Sequence, residues 1–246
     1  MPRLKLIVAY DGTAFAGWQS QVHRNTVQDE LERAFHKISG AHVRVHGAGR
    51  TDTGVHALAQ CAHVDLPTRR LSAGSWSTAL NATLPPMVRV LRSRYVSPQF
   101  HARFSATGKT YRYRIWLAAI LPPLELNRAW HIPQPIDMDL LVRAGRMFVG
   151  KHDFAAYAAN RGKKEESTVR TVSVLKVRRR GPEVTIEISG DGFLYKMVRL
   201  MVGAMIRVAQ GKMRVEEIGS GLRTGWPNRS RYAAPGHGLY LMKVWY

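Results

Sequence analysis

Residues 47–57, which read GAGRTDTGVHA, lie between two segments typical of β-strands. Glycines surround a single carboxylate, Asp52, and Arg50 stands two residues before it. Glycine is used where the backbone takes a positive φ or must approach another group closely. The stretch therefore predicts a loop that projects Asp52 into a cleft. The alternative is an ordinary turn in which Asp52 hydrogen-bonds the backbone.

The segments around this loop predict an α/β half. Apolar, β-branched runs indicate strands, and apolar residues at helical spacing indicate helices. The predicted strands are 4–10, 43–46, 55–66 and 88–96, and the predicted helices are 26–40 and 71–84. Thr26 is a suitable N-cap and Gly40 a suitable stop for the first helix. The order strand–helix–strand–strand–helix–strand is that of a ferredoxin-like sheet.

The second half repeats this mixed style without a detectable sequence repeat. In the strand 109–117, Tyr111, Tyr113 and Ile115 share one face by alternation. The other predicted elements are helices at 137–149 and 193–210, a hairpin of 168–178 with 183–189, and a final strand at 239–245. A boundary near 104–108 predicts two domains, residues 1–105 and 106–246.

The helix 193–210 is almost entirely apolar, which predicts burial. At about 100° per residue, its Lys196, Arg199, Gly203 and Arg207 fall on one narrow face. A basic face on a buried helix predicts a cleft or seam, and Gly203 would allow close approach there. The alternative is that the basic side chains extend to solvent, which suits Lys196 and Arg207 better than the mid-helix Arg199.

Net charge predicts a polyanionic partner. The chain has 37 Lys and Arg against 17 Asp and Glu, a formal charge of +20. A positive excess of this size favours nucleic acid. An anionic membrane surface is the second choice, but the basic residues are dispersed rather than clustered.

Cysteine content and hydropathy favour a cytoplasmic protein. Cys61 is the single cysteine, so no disulfide forms within the chain, and its apolar neighbours indicate a buried thiol. The apolar run near the N-terminus is too short for a signal peptide. The longest apolar window, 200–206, is far shorter than the roughly 20 residues that span a bilayer.

Several motifs can be set aside. Residues 107–110, TGKT, resemble the end of a phosphate-binding loop, but Arg103 stands where that motif needs glycine. The histidines near Cys61 lack the paired spacing of a zinc site, so no metal is expected. No Gly-x-Ser-x-Gly elbow supports a hydrolase. The strand 109–115 lacks the internal glycine of an RNA-recognition motif, although bases could still stack on Tyr111 or Tyr113.

Motifs along the whole chain, in family order, resemble those of the TruA family of tRNA pseudouridine synthases. The loop 49–57, GRTDTGVHA, resembles that family's signature loop, whose aspartate is catalytic. The other matching stretches are 10–13 (YDGT), 17–19 (GWQ), 26–28 (TVQ), 100–106 (FHARFSA), 109–113 (KTYRY), 192–199 (GFLYKMVR) and 234–241 (APGHGLYL). Residues 160–167 and 214–232 are the departures from the pattern, and they leave details of RNA contact open.

The resemblance implies a role for each of five residues. Asp52 is the catalytic carboxylate, because breaking the glycosidic bond of uridine develops positive charge at the sugar carbon. Arg199 pairs with that aspartate, Tyr111 stacks on the uracil and Leu239 packs on its other side. Arg50 holds the phosphate of the flipped nucleotide. Without the resemblance, Tyr111 would be a core aromatic and Arg50 a surface charge.

The resemblance also implies an architecture, a substrate and a partner. The expected fold is two ferredoxin-like, RRM-like α/β halves, with mainly antiparallel sheets flanked by helices and an active-site cleft between them. The expected enzyme is a homodimeric isomerase without cofactor. Its expected substrates are uridines in the tRNA anticodon stem and loop, at family positions 38, 39 or 40. The rival hypothesis is an RNA-binding module or RNA chaperone without catalysis, but such a protein gains nothing from Asp52 in a basic loop.

Overall fold

Strands and helices alternate along the chain as the sequence pattern predicts. The computed structural model describes residues 1–23, 25–159, 167–224 and 232–246. The strands are β1 (Arg3–Tyr10), β2 (Val45–Gly47), β3 (His56–Asp65), β4 (Val88–Val96), β5 (Gly108–Trp116), β6 (Trp130–His131), β7 (Gly150–Asp153), β8 (Val169–Arg180), β9 (Glu183–Gly190) and β10 (Leu239–Trp245). The helices are α1 (Val27–Ser39), α2 (Ala73–Thr83), α3 (Met138–Arg146), α4 (Met197–Ala209) and α5 (Val215–Thr224). This mixed α/β composition confirms the predicted fold class.

The chain divides into two units. Unit 1 comprises Met1–Thr107 together with Tyr240–Tyr246, and unit 2 comprises Gly108–Leu239. The boundary predicted from the sequence falls at a similar point, between 1–105 and 106–246, but it groups β10 with the second half. Nearly all of β10 lies in unit 1.

Unit 1 is a ferredoxin-like arrangement. Its sheet has the order β4-β1-β3, with β2 and β10 both paired to β3. β2 pairs antiparallel with the later part of β3, and β10 pairs parallel with its first residues, Tyr240 opposite His56 and Leu241 opposite Ala57. The core lies beneath α1 and α2, where the rings of Phe35 and Trp76 pack 5.1 Å apart. β3 therefore carries the residues that follow the glycine-rich loop into the middle of the sheet.

The ends of α1 follow the predicted caps. The Thr26 hydroxyl accepts a hydrogen bond from the Asp29 N–H, which satisfies one of the free N–H groups of the first turn. Gly40 ends the helix in the left-handed conformation, with φ of 71°.

Unit 2 has an antiparallel sheet of order β5-β9-β8-β7, with β6 parallel to the end of β5. Tyr111, Tyr113 and Ile115 are buried, as the alternation in β5 predicts. α3 contacts both α4 and β8. Gly145 allows α3 to lie close to β8, because a Cβ at this position would be 2.6 Å from the Leu175 side chain.

The long helix is shorter than predicted. It begins at Met197 instead of residue 193, and Lys196 precedes it in the left-handed conformation with φ of 58°. The Tyr195 carbonyl accepts the N–H of Ala159, a tertiary bond that replaces a helical one. Lys196 is therefore the N-cap residue of α4. The face that was predicted to be basic consists of Arg199, Gly203 and Arg207.

Helix α5 was not predicted, and it lies in the stretch 214–232 that departs from the family pattern. Gly219 and Gly221 lower its intrinsic helix propensity. Both are used for packing, because a Cβ at Gly221 would lie 3.2 Å from the Tyr157 hydroxyl and one at Gly219 would lie 3.0 Å from Met147. Residues 160–166, which belong to the other departure from the family pattern, and residues 225–231 lie outside the described residues.

Candidate active site

Asp52 lies in the loop that joins β2 to β3. The loop is tied at its start by the Ala48 N–H, which donates to the Cys61 carbonyl at 2.7 Å. A turn follows, in which the Val55 N–H donates to the Asp52 carbonyl at 3.1 Å and Gly54 takes a φ of 76°. Asp52 itself is half-buried. Its backbone is held by the turn, and its carboxylate lies at the boundary between protein and solvent.

Two glycines of the N-terminal segment support this loop from behind. A Cβ at Gly12 would lie 2.1 Å from the Val55 carbonyl oxygen, and one at Gly17 would lie 2.4 Å from that of Thr51. Backbone cannot yield as a flexible side chain can, so each position requires glycine. The Trp18 N–H also donates to the Thr51 carbonyl at 3.1 Å. The motifs YDGT and GWQ thus pack against the Asp52 loop and hold its backbone in place. This role was not predicted from the sequence.

Side chains fix the residues on both sides of Asp52. The Tyr10 and Thr51 hydroxyls are 2.8 Å apart in a buried hydrogen bond, and burial raises the pKa of Tyr10 well above its ordinary value. The Gln60 side chain donates to the Gly49 carbonyl at 2.8 Å. Such buried bonds, when complete, hold a loop in one conformation. The Asp52 carboxylate is therefore attached to a preorganised backbone.

His56 connects the end of the loop to the turn after β1. Its side chain is 4% exposed, and its Nδ1 accepts the Gly12 N–H at 3.1 Å. The Asp11 carboxylate lies 3.2 Å from the same Nδ1 and accepts both the N–H and the hydroxyl of Thr13. Tyr240 stacks on the imidazole, with ring centroids 4.6 Å apart. Sequence reasoning missed this positioning role, although His56 stands within the quoted motif.

Arg50 lies at the exposed end of the same loop. Its Nε donates to the Gln19 side-chain oxygen at 3.2 Å. Gln19 in turn donates to the side-chain oxygen of Gln28, which is buried at the start of α1. This chain of amides orients a guanidinium group that otherwise has many rotamers. Gln19 and Gln28 stand in the quoted motifs GWQ and TVQ, but no role was predicted for either side chain.

Tyr111 is held in β5 of unit 2. It lies opposite Ile188 of β9, and the Phe193 ring meets it edge-on at 5.2 Å. Its side chain is buried, with 8% exposure. Tyr113 is fully buried at 0%, so Tyr111 is the one of these two tyrosines on which a base could stack.

Arg199 anchors an extended segment to helix α4. Its Nε donates to the Ala234 carbonyl at 2.7 Å, while its own carbonyl accepts the Ala234 N–H at 3.0 Å. One turn further along, a Cβ at Gly203 would lie 1.8 Å from the Tyr232 carbonyl oxygen. The predicted close approach at Gly203 is confirmed, and its partner is the backbone of this segment.

Leu239 follows that segment and begins β10. The Tyr113 hydroxyl donates to the Pro235 carbonyl at 2.8 Å, and a Cβ at Gly238 would lie 2.6 Å from the Tyr113 ring. Burial raises the pKa of Tyr113 well above its ordinary value, so the group remains a hydrogen-bond donor. Leu239 is buried, with 6% exposure. Tyr113 is thus a support for the segment that carries Leu239.

The predicted site residues are divided between the two units. Asp52 and Arg50 share one loop of unit 1, whereas Tyr111, Arg199 and Leu239 belong to unit 2. Among the described residues, no group of three or more His, Cys, Asp or Glu side chains is arranged to hold a metal ion. None of the described helices has both the length and the hydropathy needed to cross a membrane.

Comparison with known proteins identifies the family. The family model of tRNA pseudouridine synthases matches residues 6–105 and 144–246. The tRNA pseudouridine synthase A of Akkermansia muciniphila is 48% identical, with 100% of this chain and 96% of that protein covered. Proteins of the same name from Maridesulfovibrio salexigens and Acetivibrio thermocellus are 43% and 40% identical, and each match covers all of this chain. They are covered over 91% and 100% of their own lengths.

The chain belongs to the tRNA pseudouridine synthase family. It is accordingly an isomerase that acts on tRNA, as the resemblance implies. A solved structure of a Cbf5-Nop10-Gar1 complex is a more remote likeness, with 13% identity and a TM-score of 0.39 over 97% of this chain and 49% of that one. The identification does not depend on it.

Proposed function

We propose that Asp52 is the catalytic carboxylate of uridine-to-pseudouridine isomerisation. The observation that carries the proposal is the close packing of backbone against its loop. Gly12 and Gly17 lie so close to the carbonyl groups on either side of Asp52 that neither position has room for a side chain. A carboxylate that only closed a turn would not require this support. A charged group on a preorganised backbone stabilises developing charge without reorganising during the reaction.

The reaction rearranges one bond of the nucleoside without changing its composition. The bond between the sugar C1′ and the uracil N1 breaks, the base turns, and a bond between C1′ and C5 forms. The C5 proton leaves and N1 ends protonated. C1′ gains positive character when the first bond breaks, as in glycoside hydrolysis, so an anionic oxygen beside it lowers the barrier. Asp52 supplies that oxygen in our proposal.

The unit 2 residues hold the base and the carboxylate in this proposal. Tyr111 stacks on the uracil near the departing C5 proton, and Leu239 packs on the opposite face. Arg199 pairs with the Asp52 carboxylate from its position on α4. Its bond to Ala234 supports this role, because it holds the guanidinium in a defined place.

The remaining parts of the proposal concern the RNA and the assembly. Arg50 binds the phosphate of the flipped nucleotide, which its exposure and its tether to Gln19 support. The substrates are uridines of the anticodon stem and loop, at positions 38, 39 or 40. The enzyme works as a homodimer in the cytoplasm without a cofactor. The names of the relatives support tRNA as the substrate.

Release of tritium from tRNA labelled at C5 of uridine, with no added cofactor, tests the role of Asp52. We expect the wild-type chain to release tritium and Asp52→Asn to abolish release, with tRNA affinity unchanged within about threefold, a difference below 1 kcal/mol. Asp139→Asn, which removes an exposed carboxylate from α3, is the control and should retain full turnover. Turnover by Asp52→Asn would overturn the assignment, and inactivity of the wild type would favour the RNA-chaperone alternative.

A further inference from the structure

Unit 1 presents to solvent an aromatic ring that none of the roles assigned above uses. Phe104 is 76% exposed, more than any other Phe, Tyr or Trp in the described ranges. Single exposed apolar side chains are common on protein surfaces and need no explanation by themselves. What distinguishes Phe104 is the rigid support behind it.

Hydrogen bonds fix the backbone that carries Phe104. The His101 Nδ1 accepts the N–H groups of both Arg103 and Phe104, at 3.1 and 3.2 Å. The Ser105 hydroxyl accepts the His101 N–H at 2.9 Å, and the Ser105 N–H donates to the His101 carbonyl at 2.9 Å. These bonds close the turn 101–105 from both ends, so the Phe104 Cα has little freedom.

Flat rings continue beneath Phe104 into the protein. Phe104 stacks on His101 with centroids 4.3 Å apart, His101 meets His63 edge-on at 4.6 Å, and His63 stacks on His46 at 5.0 Å. The His63 Nδ1 accepts the Ala102 N–H, which attaches this column to the turn. Burial lowers the pKa of both His63 and His101, so both rings are uncharged near neutral pH. Phe104 is the outer end of a supported column of rings.

A cation lies over the exposed ring. The Arg103 guanidinium is 5.6 Å from the Phe104 centroid and is exposed. An aromatic face with an adjacent arginine is the combination that binds a nucleotide, because every base has a face that stacks and every phosphate accepts from guanidinium. A protein partner would require a larger apolar patch than one ring.

We propose that Phe104 and Arg103 form a nucleotide-stacking site for the RNA substrate. An unpaired base lies on the face of Phe104 that His101 does not cover, and the Arg103 guanidinium turns away from the ring to bind the phosphate of that nucleotide. Neither residue belongs to the set assigned to the reacting uridine, and the site contributes to affinity rather than to the chemical step. The proposal rests on the proposed function only in taking RNA as the ligand.

Binding of tRNA by variants made in the inactive Asp52→Asn background tests the site. Phe104→Ala should weaken binding about five- to tenfold, a typical loss for one stacked base, and Phe104→Trp should restore it. Leu91→Ala, which removes another exposed apolar side chain of unit 1, is the control and should leave the dissociation constant unchanged.

The salt dependence separates the two residues. Arg103→Ala should lower the slope of log Kd against log salt by about 0.7 to 0.9, the value for one phosphate contact, whereas Phe104→Ala should leave the slope unchanged. Unchanged affinity in Phe104→Ala would overturn the proposal. A change in oligomeric state, measured by light scattering, without a change in affinity would also overturn it and would identify a protein contact. Tritium release by the otherwise wild-type chain reports separately on the proposed function.

Discussion

At the scale of single residues, the candidate site depends on glycines in the N-terminal segment as much as on Asp52. The carboxylate, in our proposal, must meet a flipped nucleotide, and its loop is held in place by backbone packed against backbone. Gly12 and Gly17 make that packing possible. Residues of no chemical reactivity thus set the position of the reactive one.

Gly12→Ala should damage both stability and turnover. The added Cβ would lie 2.1 Å from the Val55 carbonyl oxygen, so either the turn after β1 or the Asp52 loop must move. We expect a loss of about 1–3 kcal/mol in the free energy of unfolding, as for overpacking in a core. Denaturant unfolding and tritium release measure the two effects.

Gly74→Ala is the matched control for this substitution. Gly74 lies in α2, and its nearest neighbour is the Ser72 hydroxyl at 4.0 Å. Alanine is favoured over glycine within a helix by about 1 kcal/mol, so this variant should be at least as stable as the wild type. Equal losses in the two variants would show that the space around Gly12 does not limit the loop.

His63 should make stability depend on pH. Burial is the main reason that its pKa falls from 6.5 to about 4, and His101, Arg3 and His46 add to the effect. Between these two values the unfolded chain binds more protons than the folded chain, so stability falls as pH decreases through this window. His63→Asn keeps an acceptor for the Ala102 N–H but does not titrate. Thermal unfolding between pH 7 and pH 4 should therefore show a shallower loss in the variant, and parallel curves would contradict the assignment to His63.

At the scale of elements, helix α4 links the candidate site to the segment that leads into β10. Arg199 and Gly203 share the face against which residues 232–234 lie. Arg207, one turn further along this face, donates instead to the Lys212 carbonyl at 3.3 Å, near the end of the helix. Three residues with similar positions on the helical wheel thus have different surroundings.

Arg199→Leu should therefore reduce turnover far more than Arg207→Leu. Losing a charged hydrogen bond to a buried carbonyl costs about 1.5–3 kcal/mol, which corresponds to at least a tenfold effect if it appears in the transition state. Arg207→Leu should remain within about threefold of the wild type. Single-turnover tritium release compares them, and equal losses would contradict the distinction between the two positions.

Local signals predicted most elements because caps and alternation are properties of short stretches. Thr26, Gly40 and the buried tyrosines of β5 behave as their neighbours in sequence require. The start of α4 could not be predicted, since it depends on a bond between Tyr195 and Ala159, which are distant in sequence. Helix α5 was missed because its two glycines lower its helix propensity. Their use, in packing against Tyr157 and Met147, is visible only in the folded chain.

At the scale of the whole molecule, we expect charge to dominate the interaction with RNA. The formal charge of +20 is spread along the chain rather than concentrated in one segment. Phosphate contacts made by such a surface release counterions, which makes affinity depend strongly on salt.

Affinity for tRNA should fall steeply as salt increases. In the inactive Asp52→Asn variant, we expect a slope of log Kd against log salt of at least about 3, the value for about four phosphate contacts. Filter binding across a range of potassium chloride concentrations gives the slope. A slope below about 1 would mean that the positive surface does not contact phosphates.

The candidate site shows the limits of sequence reasoning at this scale. The role proposed for Asp52 came from the family resemblance of its motif, in which the carboxylate and the glycines stand together in one stretch. Tyr113, His56 and Gln28 act through partners that are remote in sequence, and no local pattern assigns them a supporting role. Their functions follow only from the folded chain.

The pairing of β10 with β3 has a consequence for the order in which the protein is made. Unit 2 is inserted between the two parts of unit 1, and the ribosome synthesises all of it before β10. Until then, the start of β3, at His56 and Ala57, lacks its partner strand on one side, and His56 lacks the Tyr240 ring. The edge of β3 next to the Asp52 loop is therefore the last part of unit 1 to receive its partner strand. A nascent chain therefore contains every residue of the Asp52 loop long before it contains β10, the strand that pairs beside the loop.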